Sequence, residues 1–368
     1  VVNEPAIVIA GQICVDIVMN FPDGSTDLSS LIQPGRCVVV EDSTITSGGA
    51  VSNTGLVLAR MGVPVRLVGK IGGDAIGSSL LSILENGNPG LSDHLIVAKG
   101  MTTSYAIVLN PPGIDRSFLY VPGPNHRFSP AEVTDKHLEG ARYFHLGYPT
   151  EMQLFYQDHG DLCLEMFQRV KEHGLTTSVD MALPDIYSES GRFDWRTWLQ
   201  RMMPQVDMFL PSLDEITFML RPKIFSSSND IEKLDKQIIM EMASEAIEMG
   251  AALVLTKLGE RGLYLQTSRD SARLRQMGKG QPYDLEAWRD VQLWCPSFKV
   301  NVKGTTGAGD SSVAGFLAAM TKGLGPEQAL ETAAAAGAAS CEQADASSGV
   351  PSWEALRERI TMGWERNS

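Results

Sequence analysis

An unbroken apolar run, Ala6-Ile7-Val8-Ile9-Ala10, stops at Gly11 near the start of the chain. A run without polar alternation suits a parallel strand that is covered on both faces. Cys14–Met19 resumes it with one carboxylate, Asp16, among apolar neighbours. Further strands are predicted at Ala141–Gly147 and Thr176–Asp180, and at the starts of Val65–Gly77, Val206–Glu215 and Ala252–Gly262. Helical spacing follows Thr54 through Val57, Leu58 and Met61, and helices are predicted over 158–173 and Pro326–Cys341. Strand and helix alternating at this spacing predict βαβ units around a parallel sheet, hence an α/β fold. One region breaks the rhythm. Residues 20–46 are turn-rich, and Arg36–Glu41 and Ser43–Thr46 read as short strands with polar alternation. Such strands need one wet face, so they predict a small β-layer outside the main sheet. Residues 226–231 read as a loop, and the polar stretch 267–292 as a solvated insertion.

One stretch carries chemistry on its face. Phe298–Val302 alternates as a strand would, and Gly304-Thr305-Thr306-Gly307-Ala308-Gly309 makes a turn. Asp310 follows, then Val313, Phe316, Leu317 and Met320 at helical spacing. The backbone N–H groups of Gly307, Ala308 and Gly309 would point out of a helix start, where the helix dipole also favours an anion. Phosphoryl transfer asks mostly for such positioning and charge stabilisation. Asp310 would accept the proton of an attacking hydroxyl, with the helix end keeping its pKa low. The plain alternative is a glycine turn with Asp as an ordinary first-turn residue. No Lys-Ser or Lys-Thr follows the glycines, so this is not a Walker A loop.

The net charge of −13 argues against nucleic acid or an anionic membrane surface as partner. Any phosphate site must then be built locally. The five cysteines, Cys14, Cys37, Cys163, Cys295 and Cys341, are scattered without a C-x-x-C pair, which predicts reduced thiols and a cytoplasmic setting. His159 and Cys163 lack a second ligand pair for zinc. There is no apolar stretch of membrane-crossing length.

The segment Gly304–Asp310, leading into a helix of small residues, resembles the C-terminal signature of the ribokinase-like carbohydrate kinases, the phosphofructokinase B family. The resemblance covers about residues 7–350. It implies a three-layer α/β sandwich, with a central mostly parallel sheet and a small β-sheet lid. One kinase domain would cover 1–368, with lid segments at about 17–46 and 99–124, the second built from Thr103–Leu109 and Arg116–Val121. It further implies ATP and Mg²⁺ as cofactors, Asp310 as catalytic base and the Gly307–Gly309 backbone as anion hole. Gly48, Gly49 and Asn53 match the family's first signature, and with Asp16 they are implied to hold the sugar. The segment Ala252–Gly262 resembles the family's nucleotide segment, which implies ATP contacts at Thr256 and Gly259, joined by Thr305. Glu215 stands where relatives carry the Glu of an Asn-x-x-Glu motif that holds the magnesium–nucleotide complex. Val65–Gly77 resembles a family scaffold segment, with Asp74 as a helix cap.

Three departures qualify the match: Ala50-Val51 where many relatives have Lys-Gly, Ser212 in place of the motif's Asn, and Gly304 where an Asp usually helps hold a monovalent cation. The last predicts weak or absent potassium activation. The expected activity is ATP-dependent phosphorylation of a primary hydroxyl on a sugar or sugar acid, with a small molecule as partner and possible dimerisation through the lid. A nucleoside acceptor would need an aromatic wall, available from Tyr105, Phe118 or Tyr120. A sugar-binding regulatory protein that retains the fold is the rival from another class.

Overall fold

The computed structural model describes residues 6–22, 34–35, 37–111, 117–227 and 231–367. Residues 23–33 and Arg36 of the expected 17–46 lid segment, 112–116 of the second segment and 228–230 of the expected loop lie outside the described residues.

Fourteen strands occur among the described residues: β1 (Ile7–Gly11), β2 (Cys14–Asn20), β3 (Asp42–Gly48), β4 (Val65–Val68), β5 (Lys70–Gly72), β6 (Ile96–Ala98), β7 (Tyr105–Asn110), β8 (Ser117–Val121), β9 (Tyr143–Gly147), β10 (Thr176–Asp180), β11 (Met208–Phe209), β12 (Leu253–Lys257), β13 (Leu263–Thr267) and β14 (Gln292–Cys295). Eight of them form the central sheet in the order β14-β13-β12-β11-β10-β9-β1-β4. Pairing is parallel from β12 across to β4, and β13 and β14 close one edge antiparallel. All five residues of β1 and of β9 are buried, as both-face coverage demands. One face packs on helices Ala50–Arg60, Ala308–Thr321 and Pro326–Ser340 through Ile9, Val57, Phe316 and Ala333. The other packs on Gln153–Glu172, Trp195–Met202, Leu213–Leu220 and Lys236–Glu248 through Phe144, Phe167, Trp198 and Met242. The result is a three-layer sandwich.

The alternating segments form a separate four-stranded sheet, β3-β2-β7-β8. After Gly11 the chain leaves the central sheet and enters this one at Cys14. Asp16, Ala106 and Tyr120 lie side by side across β2, β7 and β8, so they share one face.

Four local expectations need correction. Residues 298–302 form no strand: Phe298 makes a single bridge to Arg366, and the Lys299 N–H donates to Glu365, so the chain's own end holds this segment extended. Cys37–Val40 forms no strand either, and β3 begins only at Asp42. The helix expected over 158–173 starts at Gln153 and is broken by left-handed residues at Asp158, His159 and Gly160. The stretch 267–292 is not a solvated insertion. It contains the helix Ser271–Arg275 and buries Leu274, Met277 and Trp288. Those three lie at no regular period, so their burial left no pattern to read.

Candidate active site

In open parallel sheets, ligands bind beyond the carboxyl ends of the strands. Gly11, Gly147 and Asp180 end β1, β9 and β10 at one level of register, and Lys257 ends β12 at the same edge. The helix Ala308–Thr321 starts there. Gly307 is its N-cap at φ 72, and a Cβ on it would lie 2.2 Å from the Ala346 carbonyl, so only glycine fits. The Ser311 N–H donates to the Gly307 carbonyl as the first bond of the helix. The Ala308 N–H turns back toward the Thr305 carbonyl at 3.3 Å. Gly309 and Asp310 precede any intrahelical acceptor, so their N–H groups are the natural seats for an anion.

Asp310 is 2% exposed and its carboxylate is held from two sides. One oxygen accepts from Asn53 Nδ2 at 2.9 Å, the other from the Tyr148 hydroxyl at 2.8 Å. Burial pushes Asp310 above the usual carboxylate range, against the pull of Asn53, Lys257, Tyr148 and Thr54. The helix end was expected to keep it low. Burial wins, and the group is a better base than an exposed helix-start Asp.

Asn53 arrives on the helix Ala50–Arg60, whose start bends sharply at Gly49, φ 85. Its Oδ1 is buried and has no hydrogen-bond partner among the described residues. Gln12 Oε1 is in the same state, while Gln12 Nε2 donates to the Tyr120 hydroxyl. A Cβ on Gly49 would lie 2.0 Å from Gln12 Oε1, and one on Gly48 2.3 Å from the Asp16 carboxylate. The two glycines therefore leave room for acceptor groups. Asn125 supports the wall, donating from Nδ2 to the Ile13 carbonyl and the Tyr120 hydroxyl.

On the nucleotide side, Lys257 Nζ meets Asp180 Oδ1 at 2.5 Å. Asp180 Oδ2 is buried without a partner among the described residues. Burial pushes Asp180 up to about 8, with Glu215 and Asp310 adding to the rise and Lys257 opposing it. Lys257 loses to burial but is lifted above its ordinary value by Asp180, Glu215 and Asp310, so the ammonium stays charged. Burial also raises Glu215. Its Oε2 accepts from the Ser212 N–H at 2.6 Å, and its N–H donates to Ser212 Oγ. That reciprocal cap explains why Ser serves at 212.

The structure thus brings Asp310, Asn53, Gly307 and Gly309 together, and places Gly48 beside Asp16 and Gly49 beside Gln12. Thr256 is different. It alternates with Lys257 along β12 and pairs with Tyr264, which belongs to the far-side core. Its buried hydroxyl has no partner among the described residues. The side chain that β12 sends toward Asp310 is Lys257. Gly259, at φ 57, opens the turn after β12, and Thr305 is exposed in the signature turn. Sequence reasoning missed Tyr148, Gln12 and Asn125, and passed over Lys257. Only its position after the strand end Gly147 marked Tyr148, and nothing local marked the others.

Asp180, Glu215 and Asp310 stand around one lysine, and Asp180 keeps one oxygen without a partner among the described residues. That donor set fits a magnesium–nucleotide complex. No three His, Cys, Asp or Glu among the described residues stand close enough to cage a metal alone. Magnesium is commonly held by one or two carboxylates plus phosphates and water, which suits this arrangement.

Residues 12–353 match the pfkB family of carbohydrate kinases. The chain belongs to that family. An "uncharacterized sugar kinase" of Archaeoglobus fulgidus is 28% identical over 74% of this chain and 88% of its own. Fructokinase-1 of Oryza sativa is 26% identical over 73% of this chain and 72% of its own. Among solved structures, the ribokinase of Arabidopsis thaliana complexed with ribose and ATP superposes with TM-score 0.70 at 19% identity, covering 96% and 98% of the two chains. The pfkB-family fold, with its central sheet and small accessory sheet, is therefore the fold of this protein. No helix among the described residues is long and apolar enough to cross a membrane.

Proposed function

We propose that this pfkB-family protein transfers the γ-phosphoryl group of ATP to a primary hydroxyl of a sugar or sugar acid. The observation that carries the reading is the contact between Asn53 and Asp310. It joins the acceptor side of the cleft to the first turn of the glycine-led helix. Asn53 Oδ1 and Gln12 Oε1 are buried acceptors in need of donors, and a polyol supplies several hydroxyls. With Asp16, Gly48 and Gly49 they would orient the acceptor. The relatives named as fructokinase and sugar kinase agree with this substrate class.

In this reading the acceptor oxygen bonds to the γ-phosphorus as the bond to the β-bridging oxygen breaks, and that oxygen leaves with ADP. Asp310 takes the hydroxyl proton. The N–H groups of Gly309 and Asp310 would receive the charge on the transferring group, whereas that of Ala308, expected to share it, is turned to the Thr305 carbonyl. Glu215 and Asp180 would hold the magnesium ion, which when bound neutralises phosphate charge. Gly259 and Thr305 would line the nucleotide. The small sheet would close over the acceptor as a lid and exclude water. Ile45 and Leu119 are exposed on the face of that sheet opposite Asp16, which supports pairing of two lids. The free thiols support a cytoplasmic location.

One observation favours a nucleoside instead. Phe118 is exposed on the same face as Asp16 and Tyr120, and could stack on a base, whereas Tyr105 packs on the main core. ADP release against a panel of sugars, sugar acids and nucleosides separates the readings. Turnover on one class, lowered about 10²-fold or more in Asp310→Asn, is expected. Equal rates in both proteins would remove the base, and acceptor binding without turnover would point to the regulatory alternative.

A further inference from the structure

We propose that Lys257 touches the transferring phosphoryl group directly, and that Asp180 positions it. The proposal rests on the kinase reading for the direction of transfer, but not for nucleotide binding.

Lys257 is the last residue of β12, and its side chain is 10% exposed. The Lys257 N–H donates to the Pro211 carbonyl, which fixes the strand end and aims the side chain across the sheet edge. Its ammonium lies against the helix start: a Cβ built on Gly309 would be 3.5 Å from Lys257 Nζ and 3.5 Å from its Cδ. An anion seated on the Gly309 and Asp310 N–H groups would therefore meet this ammonium on the side facing β12. The lysine thus lies in van der Waals range of the first turn of the helix, with no side chain between it and the Gly309 backbone.

The ammonium is not spent by its structural partner. Asp180 takes it through Oδ1 alone, and three carboxylates surround the one lysine. A lysine ammonium has three N–H donors, enough to keep Asp180 and donate to a phosphoryl oxygen as well. During transfer, the acceptor oxygen forms its bond to phosphorus, the electron pair of the breaking bond passes to the ADP oxygen, and the proton goes to Asp310. Lys257 gives up no proton in this step. It offsets charge on the equatorial phosphoryl oxygens, at a site where the backbone supplies only partial charges.

The bland reading makes Lys257 a counter-ion for a buried Asp180 and nothing more. The two differ in what they predict for the third phosphate. We would measure the affinity of the full-length protein for ADP and for a non-hydrolysable ATP analogue, with magnesium. The wild type, Lys257→Met, Lys257→Arg and Asp180→Asn/Lys257→Met would be compared, with kcat and KM on the best acceptor. The expected result is that Lys257→Met loses about tenfold or more of the analogue's advantage over ADP and about 10²-fold in kcat, with ADP affinity within about threefold. Lys257→Arg should recover part of both. The double variant, which removes the orphaned charge, should fold as the wild type does and stay as slow as Lys257→Met. Recovery of kcat in the double variant would overturn the proposal in favour of the counter-ion reading. So would an unchanged preference for the analogue. If the wild type binds the analogue better than ADP, and Lys257→Met abolishes that preference without any acceptor being phosphorylated, the lysine contact stands and the acceptor reading fails. No nucleotide binding by the wild type would overturn both.

Discussion

Tyr148 sits in the left-handed region at φ 60, an uncommon place for a bulky residue, and its hydroxyl donates to the catalytic-base candidate Asp310. Backbone strain at such a position is tolerated where the surroundings hold it. That bond favours the ionised carboxylate, so its loss should raise the pKa of Asp310 further. The base works ionised, so the rate must fall as pH drops through that pKa. Tyr148→Phe is therefore expected to move the acidic limb of the kcat/KM profile to higher pH, with about a tenfold loss on that limb. An unmoved limb would disconnect the tyrosine from the base. Gly304 makes a second residue-scale prediction. It offers no side-chain ligand, and a Cβ there would lie 3.1 Å from the Gln343 and Ala344 carbonyls. Replacing sodium by potassium should change kcat less than about threefold, by the steady-state rate in matched buffers. A large rise would mean that the carbonyls alone hold the cation.

The helices Ala308–Thr321 and Pro326–Ser340 make the platform of Asp310, and small residues let them approach closely. A Cβ on Gly315 would lie 2.8 Å from that of Ala336, and one on Gly337 2.2 Å from Ser312 Oγ. Gly315→Val should push the pair apart. We expect a loss of about 1–3 kcal/mol in denaturant unfolding, with reduced kcat because the helix start shifts with its helix. Unchanged stability would mean that the neighbouring helix yields freely. The alanine-rich composition of Pro326–Cys341 was legible in the sequence as a close-packing helix. The strand expected before the signature was not there. An alternating stretch needs a partner strand, and among the described residues only Glu365–Asn367 pairs with it.

At the scale of the molecule, the edge of the sheet opposite the site is tied by Asp207. This fully buried carboxylate meets Lys171 at 2.7 Å and Arg273 at 2.8 Å, joining helix Gln153–Glu172, β11 and the 267–292 stretch. Removing it leaves two cations without their partner, so Asp207→Ala should cost about 3–5 kcal/mol in urea unfolding. Nucleotide affinity below the transition should stay as in the wild type, since the residue lies away from the site. The sequence by itself determined the α/β class, the separate wet-faced sheet, and the signature turn with Asp310 after it, because each is written in local period, glycine placement or a contiguous motif. Only the tertiary structure decided which distant groups serve that turn. Asn53 reaches Asp310 across 257 residues, and Lys257 reaches Asp180 across 77. One residue of register put Lys257, not Thr256, on the site's face of β12, because a strand sends neighbouring side chains to opposite faces. The direction of the Asp310 pKa followed from burial, which depends on everything packed around a group and not on its neighbours in the chain.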